Sequence, residues 1–255
     1  MAGYLRVAAL GDSATVGVGD PVPGGWRGWA RLLAEALAAT HDLSFCSTAR
    51  VGATAHEVRA DQLEQAVAHR PQLASLVVGV NDTMRSSWDP ARLREDLTTC
   101  AAALTAVGAT LLTVRYHDHA ALLGLPGPLA RAMAARLAVV NGVYDHLHAR
   151  HGGVRVDLAA MPGHDRRELW SVDRLHPSER GHRALAAAFA DRLRDAGHPV
   201  APVGLEPAGG LPPSWRRDLG WVVAEGGPWV GRRARDLGPW AVRQAWSARP
   251  STTRH

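Results

Sequence analysis

The chain has 255 residues, 46% hydrophobic and 21% charged, which is enough for one domain with a substantial core plus an appendage and excludes wholesale disorder. The formal net charge is +5 and every basic residue is Arg, but the arginines are scattered and form no aromatic-interleaved groove, so no nucleic-acid partner is expected. No run of about 18 apolar residues can span a bilayer, no secretory leader pattern is present, and Cys46 and Cys100 form no CxxC pair; the expectation is a cytoplasmic protein without a zinc or redox site.

The first apolar run, residues 4–10, predicts a strand and leads straight into "GDSATVGVGD". Glycines there suit a phosphate cradle, yet no GxxxxGK[ST] exists, no Lys is available, and Gly11, Gly17 and Gly19 do not make GxGxxG. The alternative is a strand-to-loop turn that presents the Ser13 hydroxyl at the sheet edge. "GWARLLAEALAAT" then shows the three- and four-residue apolar spacing of a helix.

A second strand, 43–47, precedes "TARVGAT", where Gly52 lacks a Cβ and lets its N–H approach a ligand, or is an ordinary loop glycine. After the helical "TAHEVRADQLEQAVAHR", the strand at 73–78 ends in "VVGVNDTM". The Asn81 amide can donate hydrogen bonds without carrying charge, which suits an oxyanion; an Asn-Asp turn is the plain alternative. Asp89 and Pro90 read as the N-cap and first residue of the next helix, and Gly108 and Gly152 as C-caps.

The fourth strand, 110–114, runs into "RYHDHAALLGLPGP". There His117 and His119 either contact substrate or are loop histidines, and Leu122, Leu123 and Leu125 either line an acyl pocket or pack the loop. A long helix and a fifth strand, 154–158, lead to "LWSVDRLHPSERGH". Asp173 and His176 stand three apart, a spacing that lets the carboxylate hold the imidazole from behind. The alternatives are a solvated turn or a metal site, the latter disfavoured because no further His/Asp cluster stands at ligand spacing. Trp170 is placed to wall this turn.

Strict strand–helix alternation predicts an α/β fold: a three-layer α/β/α sandwich over residues 1–198, with a mostly parallel five-stranded sheet. A Pro/Gly linker and a Trp/Arg-rich tail follow over 199–255, with Trp215, Trp221, Trp229, Trp240 and Trp246. The tail either packs back on the domain or contacts a membrane surface or a protein.

In an open parallel sheet, ligands bind at the carboxyl ends of the strands. Ser13, Gly52, Asn81 and the Asp173/His176 pair follow successive strands and so converge on one edge. Together "GDS", Gly52, "GVND" and "DRLH" resemble the blocks of the SGNH or GDSL hydrolase superfamily over about residues 4–198. "GDSATVGVGDPVPGGWRGWARLLAE" and "LWSVDRLHPSERGHRALA" look like a branch common in actinobacteria.

The resemblance implies the flavodoxin-like fold of that superfamily and a serine esterase acting on small or medium acyl groups, with a small-molecule ester as substrate. Its catalytic residues would be Ser13, Asp173 and His176, its oxyanion donors Ser13, Gly52 and Asn81, with no metal or organic cofactor. Ala14, His117 and Trp170 are the expected substrate contacts, and Asp12 and Asp82 loop braces. Two departures stand out. Ala14 occupies a position where relatives often carry a bulky residue, and "CSTARVG" offers only Ser47 or Thr48 where an Asn commonly precedes the glycine. The competing reading is a non-catalytic binding module that docks through its tail.

Overall fold

The computed structural model describes residues 3–125 and 127–211, with Ser214, Arg216 and Gly220. Five strands, β1 (Tyr4–Gly11), β4 (Asp42–Ser47), β5 (Leu73–Val77), β6 (Thr110–Arg115) and β7 (Val154–Asp157), form one sheet in the order β4-β1-β5-β6-β7, and every pairing is parallel. β2 (Pro21–Val22) and β3 (Gly25–Trp26) make a separate antiparallel ribbon. The sheet order reverses direction between β1 and β5, the switch point at which such sheets open a crevice for ligand.

Helices α2 (Gly28–Ala38) and α9 (Glu179–Asp195) cover one face of the sheet. α3 (Ala55–Asp61), α4 (Leu63–Ala68), α6 (Pro90–Ala106) and α8 (Gly127–His151) cover the other. Because both faces are covered, β5 reads LASLV and is buried at every position. α6 shows the local logic. Asp89 caps it by accepting from the Ala91 and Arg92 amides at 2.9 and 3.1 Å, Pro90 opens it, and Leu93, Leu97, Cys100, Ala101 and Leu104 line its buried face. Between α2 and α9, Trp29 stacks on Phe189 with ring centroids 4.8 Å apart.

Three short helices break the strand-to-loop expectation at the carboxyl edge: α1 (Ser13–Val16), α5 (Val80–Thr83) and α7 (His119–Leu123). Four or five residues are too few to show helical periodicity in the sequence. The single helix expected over 54–70 is divided into two at Gln62, whose backbone stays in the right-handed region but stretches to φ −115° and whose side chain turns inward to Gly11.

The segment expected as a linker after residue 198 runs along the domain as far as Leu211. The Ala201 amide donates to Ala36, Val200 is buried, and Leu211 donates to Pro21. It closes over a cluster in which Arg27 forks onto Asp20 at 2.9 and 3.0 Å and reaches Glu179 at 2.8 Å, while Arg27 and Arg183 both donate to the Ala208 carbonyl. Four of the five tail tryptophans, from Trp221 on, and also Trp215, lie outside the described residues. Among the described residues no helix is long and apolar enough to cross a membrane, and no group of three or more His, Cys, Asp or Glu side chains is arranged to hold a metal.

Candidate active site

β1 ends at Gly11, whose φ of +154° and close neighbours leave no room for a side chain: a Cβ would stand 2.4 Å from the Val77 carbonyl oxygen and 2.5 Å from Thr15 Oγ1. The chain can therefore turn at once into α1. Asp12 caps that helix by accepting from the Ala14 amide at 3.0 Å, and Ser13 occupies its first turn, 7% exposed, not an open loop. At this position the Ser13 N–H has no intrahelical acceptor.

After β7, a loop carries Asp173 and His176 to the same edge. Ser171 N–H donates to the His176 carbonyl at 2.9 Å, and Trp170 and Pro177 form a bridge that closes the loop. Arg174 adopts a left-handed backbone (φ +56°) inside this turn, an uncommon conformation for a residue with a Cβ. Asp173 Oδ1 accepts from Ser171 Oγ (2.7 Å), Leu175 N–H (2.9 Å) and His176 N–H (3.0 Å), leaving Oδ2 for His176 Nδ1 at 2.6 Å. Burial pushes the Asp173 carboxyl up, but the bond from His176, its charge and the further donors outweigh it and bring the pKa down to about 2. The carboxylate can only accept, so Nδ1 carries the proton. His176 Nε2, 2.8 Å from Ser13 Oγ, is then the acceptor for the serine hydroxyl.

Gly52 and Asn81 follow β4 and β5 at the same carboxyl edge of the sheet. Gly52 has φ +79°, and the space its Cβ would occupy is open. Its carbonyl is held by Arg85 at 3.0 Å, and among the described residues neither the Gly52 nor the Ser13 amide finds a protein acceptor. Asn81, 4% exposed, is anchored by donating to the Ala53 carbonyl at 3.1 Å, while Asp12 Oδ2 stands at the 3.5 Å limit from the same nitrogen. Asp82 accepts from the Ala55 amide at the start of α3. Asp12 is buried and Asp82 partly so, and the loss of solvent raises their carboxyls to about 6 and about 7 despite the amides they accept from.

Of the expected substrate contacts, Ala14 is half-buried beside Ser13. His117 lies under the surface: its ring stacks on His119 at 4.1 Å and meets Trp170 at 4.9 Å, and both its ring nitrogens are buried without partners. Trp170 donates from Nε1 to the His164 carbonyl at 2.7 Å. Leu123 and Leu125 pack against the core.

Several supports gave no sequence signal. Gln62 and Arg85 are ordinary polar residues in helical or loop stretches, and only tertiary contact brings them to Gly11 and Gly52, whereas Ser171 reaches Asp173 from two positions away. The Asn missing before Gly52 is not replaced by Thr48, whose buried hydroxyl has no partner. The loop is braced instead by Arg85 and by the Thr54–Glu57 capping box.

A model of the GDSL-like lipase/acylhydrolase family matches residues 9–184. No curated protein sequence matches the chain. Among solved structures, TesA is 22% identical with a TM-score of 0.59, over 74% of this chain and 98% of its own. The lipase/acylhydrolase from Enterococcus faecalis is 20% identical with a TM-score of 0.60, over 80% and 100%. Axe2, an acetylxylan esterase from Geobacillus stearothermophilus, is 21% identical with a TM-score of 0.59, over 76% and 94%. At these identities the likeness is one of fold.

Proposed function

This chain belongs to the GDSL-like lipase/acylhydrolase family and is a carboxylic ester hydrolase, and we propose that it cleaves esters of small or medium acyl groups through Ser13, His176 and Asp173. The observation that carries this reading is the unbroken hydrogen-bonded chain from Asp173 Oδ2 through His176 to Ser13 Oγ, at 2.6 and 2.8 Å.

A serine hydroxyl is a weak nucleophile until a base takes its proton. His176 Nε2 takes it as Ser13 Oγ bonds to the ester carbonyl carbon, and the carbonyl π electrons move onto oxygen. The Ser13 and Gly52 amides and the Asn81 amide group donate to that oxyanion. Asp173 stabilises the imidazolium without taking its proton. When the intermediate collapses, the C–O bond to the alcohol breaks and His176 returns the proton to the departing oxygen. Water, deprotonated by His176, attacks the acyl-serine and releases the acid and free Ser13.

Replacing Ser13 with Ala removes the nucleophile. Hydrolysis of p-nitrophenyl acetate and butyrate should then fall to background, with the thermal unfolding transition retained. Activity in S13A equal to wild type would overturn the assignment. A fluorophosphonate probe, followed by peptide mass analysis, should label Ser13 alone.

A further inference from the structure

β6 delivers its own side chains to the catalytic edge. Beyond Arg115 the backbone is clamped at Tyr116, whose N–H and carbonyl are both bonded by the Asn141 side chain at 2.8 and 2.9 Å. Asp118 then caps α7, and His119 opens it. The His119 ring is held on three sides: His117 stacked at 4.1 Å, Tyr116 edge-on at 5.9 Å and Trp170 edge-on at 6.1 Å. Trp170 bridges to Pro177, the residue after His176, so this aromatic wall adjoins the catalytic histidine.

The protonation of His119 follows from its partner. Nδ1 lies 3.3 Å from the His117 carbonyl oxygen, which can only accept, so Nδ1 carries the hydrogen. Burial above all holds the pKa of His119 down to about 4. The bond to His117 and the charge of Asp118 pull the other way, and proximity to His176 lowers it further. The ring is thus neutral, and Nε2 is a bare acceptor. The His119 residue is 5% exposed, and its Nε2 has no hydrogen-bond partner among the described residues.

The sheet order says which part of an ester would meet it. The oxyanion donors come from β4, β1 and β5, and His119 and His176 from the β6 and β7 side. His176 must hand a proton to the departing oxygen, so the alcohol portion lies beside His176, on the His119 side. Resting on the esterase reading above, we propose that His119 Nε2 accepts a hydrogen bond from a free hydroxyl of the alcohol portion, so that the enzyme prefers esters of polyols to esters of simple alcohols. The corner that Trp170 makes edge-on with His119 borders such an alcohol, and the lone acceptor requires a donor on it.

The test is a matched pair of substrates that differ by one hydroxyl, 2-hydroxypropyl acetate and n-propyl acetate. In wild type the first should have the higher kcat/KM by roughly three- to tenfold, the range of one hydrogen bond, expressed mainly in KM. H119F keeps a stacking ring and removes the acceptor, and should bring the ratio close to one. H119Q restores an acceptor and should recover part of it. A wild-type ratio of one, which needs no variant, overturns the proposal. So does a ratio in H119F equal to wild type, including the case where both substrates slow equally. Turnover of p-nitrophenyl acetate by wild type and not by S13A tests the underlying esterase reading separately.

Discussion

In the proposed mechanism the orientation of one imidazole decides whether Ser13 can react, and a single carboxylate sets it. Asp173 carries three donors on Oδ1 and one, the His176 ring, on Oδ2. In D173N the three donors would keep the amide oxygen where Oδ1 is, so Nδ2 would face His176 and donate to Nδ1. The imidazole would then carry its hydrogen on Nε2, pointing at Ser13, and could not accept the serine proton. We expect kcat for p-nitrophenyl acetate to fall by roughly 10⁴, with KM little changed. A loss below about tenfold would mean that the carboxylate does not set the tautomer. The residue types of this site were legible in the sequence because Ser13, Gly52 and Asn81 follow shortly after strands and Asp173 and His176 stand three apart just before the last helix. Its supports were not: Gln62 is 51 positions from Gly11, and nothing local to either residue marks the contact.

At the scale of elements, three strand ends share one device. Where the sheet ladder stops, one buried side chain bonds both the N–H and the carbonyl of the last strand residue or of the residue after it. Gln62 does this for Gly11 at 2.9 Å each, Tyr144 for Val78 at 3.1 and 2.9 Å, and Asn141 for Tyr116 at 2.8 and 2.9 Å. A buried backbone group without a partner is destabilising, and these side chains let strands end inside the protein and release the chain into α1, α5 and the α7 approach. Q62A strips the acceptor from the Gly11 N–H at a fully buried position and leaves the Gly11 carbonyl with the Arg50 amide alone. It should reduce unfolding free energy in urea by roughly 1–3 kcal/mol, from one orphaned group. A change under about 0.5 kcal/mol would show that the strand end does not depend on Gln62.

The whole molecule keeps two carboxylic acids buried beside its catalytic edge, and this shapes its response to pH. Burial raises Asp12 to about 6 and Asp82 to about 7, well above the usual carboxylate range. Folding therefore favours their protonated forms. Their contribution is complete below about pH 4 and is lost as pH rises through about 6 and then about 7. Asp173, held down to about 2, acts oppositely: its contribution is present above about pH 4 and is lost as pH falls toward 2. The amide of D82N can still accept from Ala55 and cannot ionise. Its Tm relative to wild type should rise between about pH 4 and about pH 8. A difference that stays flat across that range would show that Asp82 does not ionise against burial.

The sequence by itself determined the alternation of strands and helices, hence a parallel sheet with two covered faces, and the order in which Ser13, Gly52, Asn81, Asp173 and His176 leave it. These follow from side-chain periodicity and from residues adjacent in the chain, which are local. The tertiary structure alone decided that Ser13 begins a helix, that Gln62 breaks one, and that residues 199–211 lie against the Asp20–Arg27–Glu179–Arg183 cluster. It also decided that His117 and His119 stack on one another under the surface beside Trp170. Each of these depends on which distant groups meet in a dry interior, where an unpaired polar atom is costly and the chain bends to pair it.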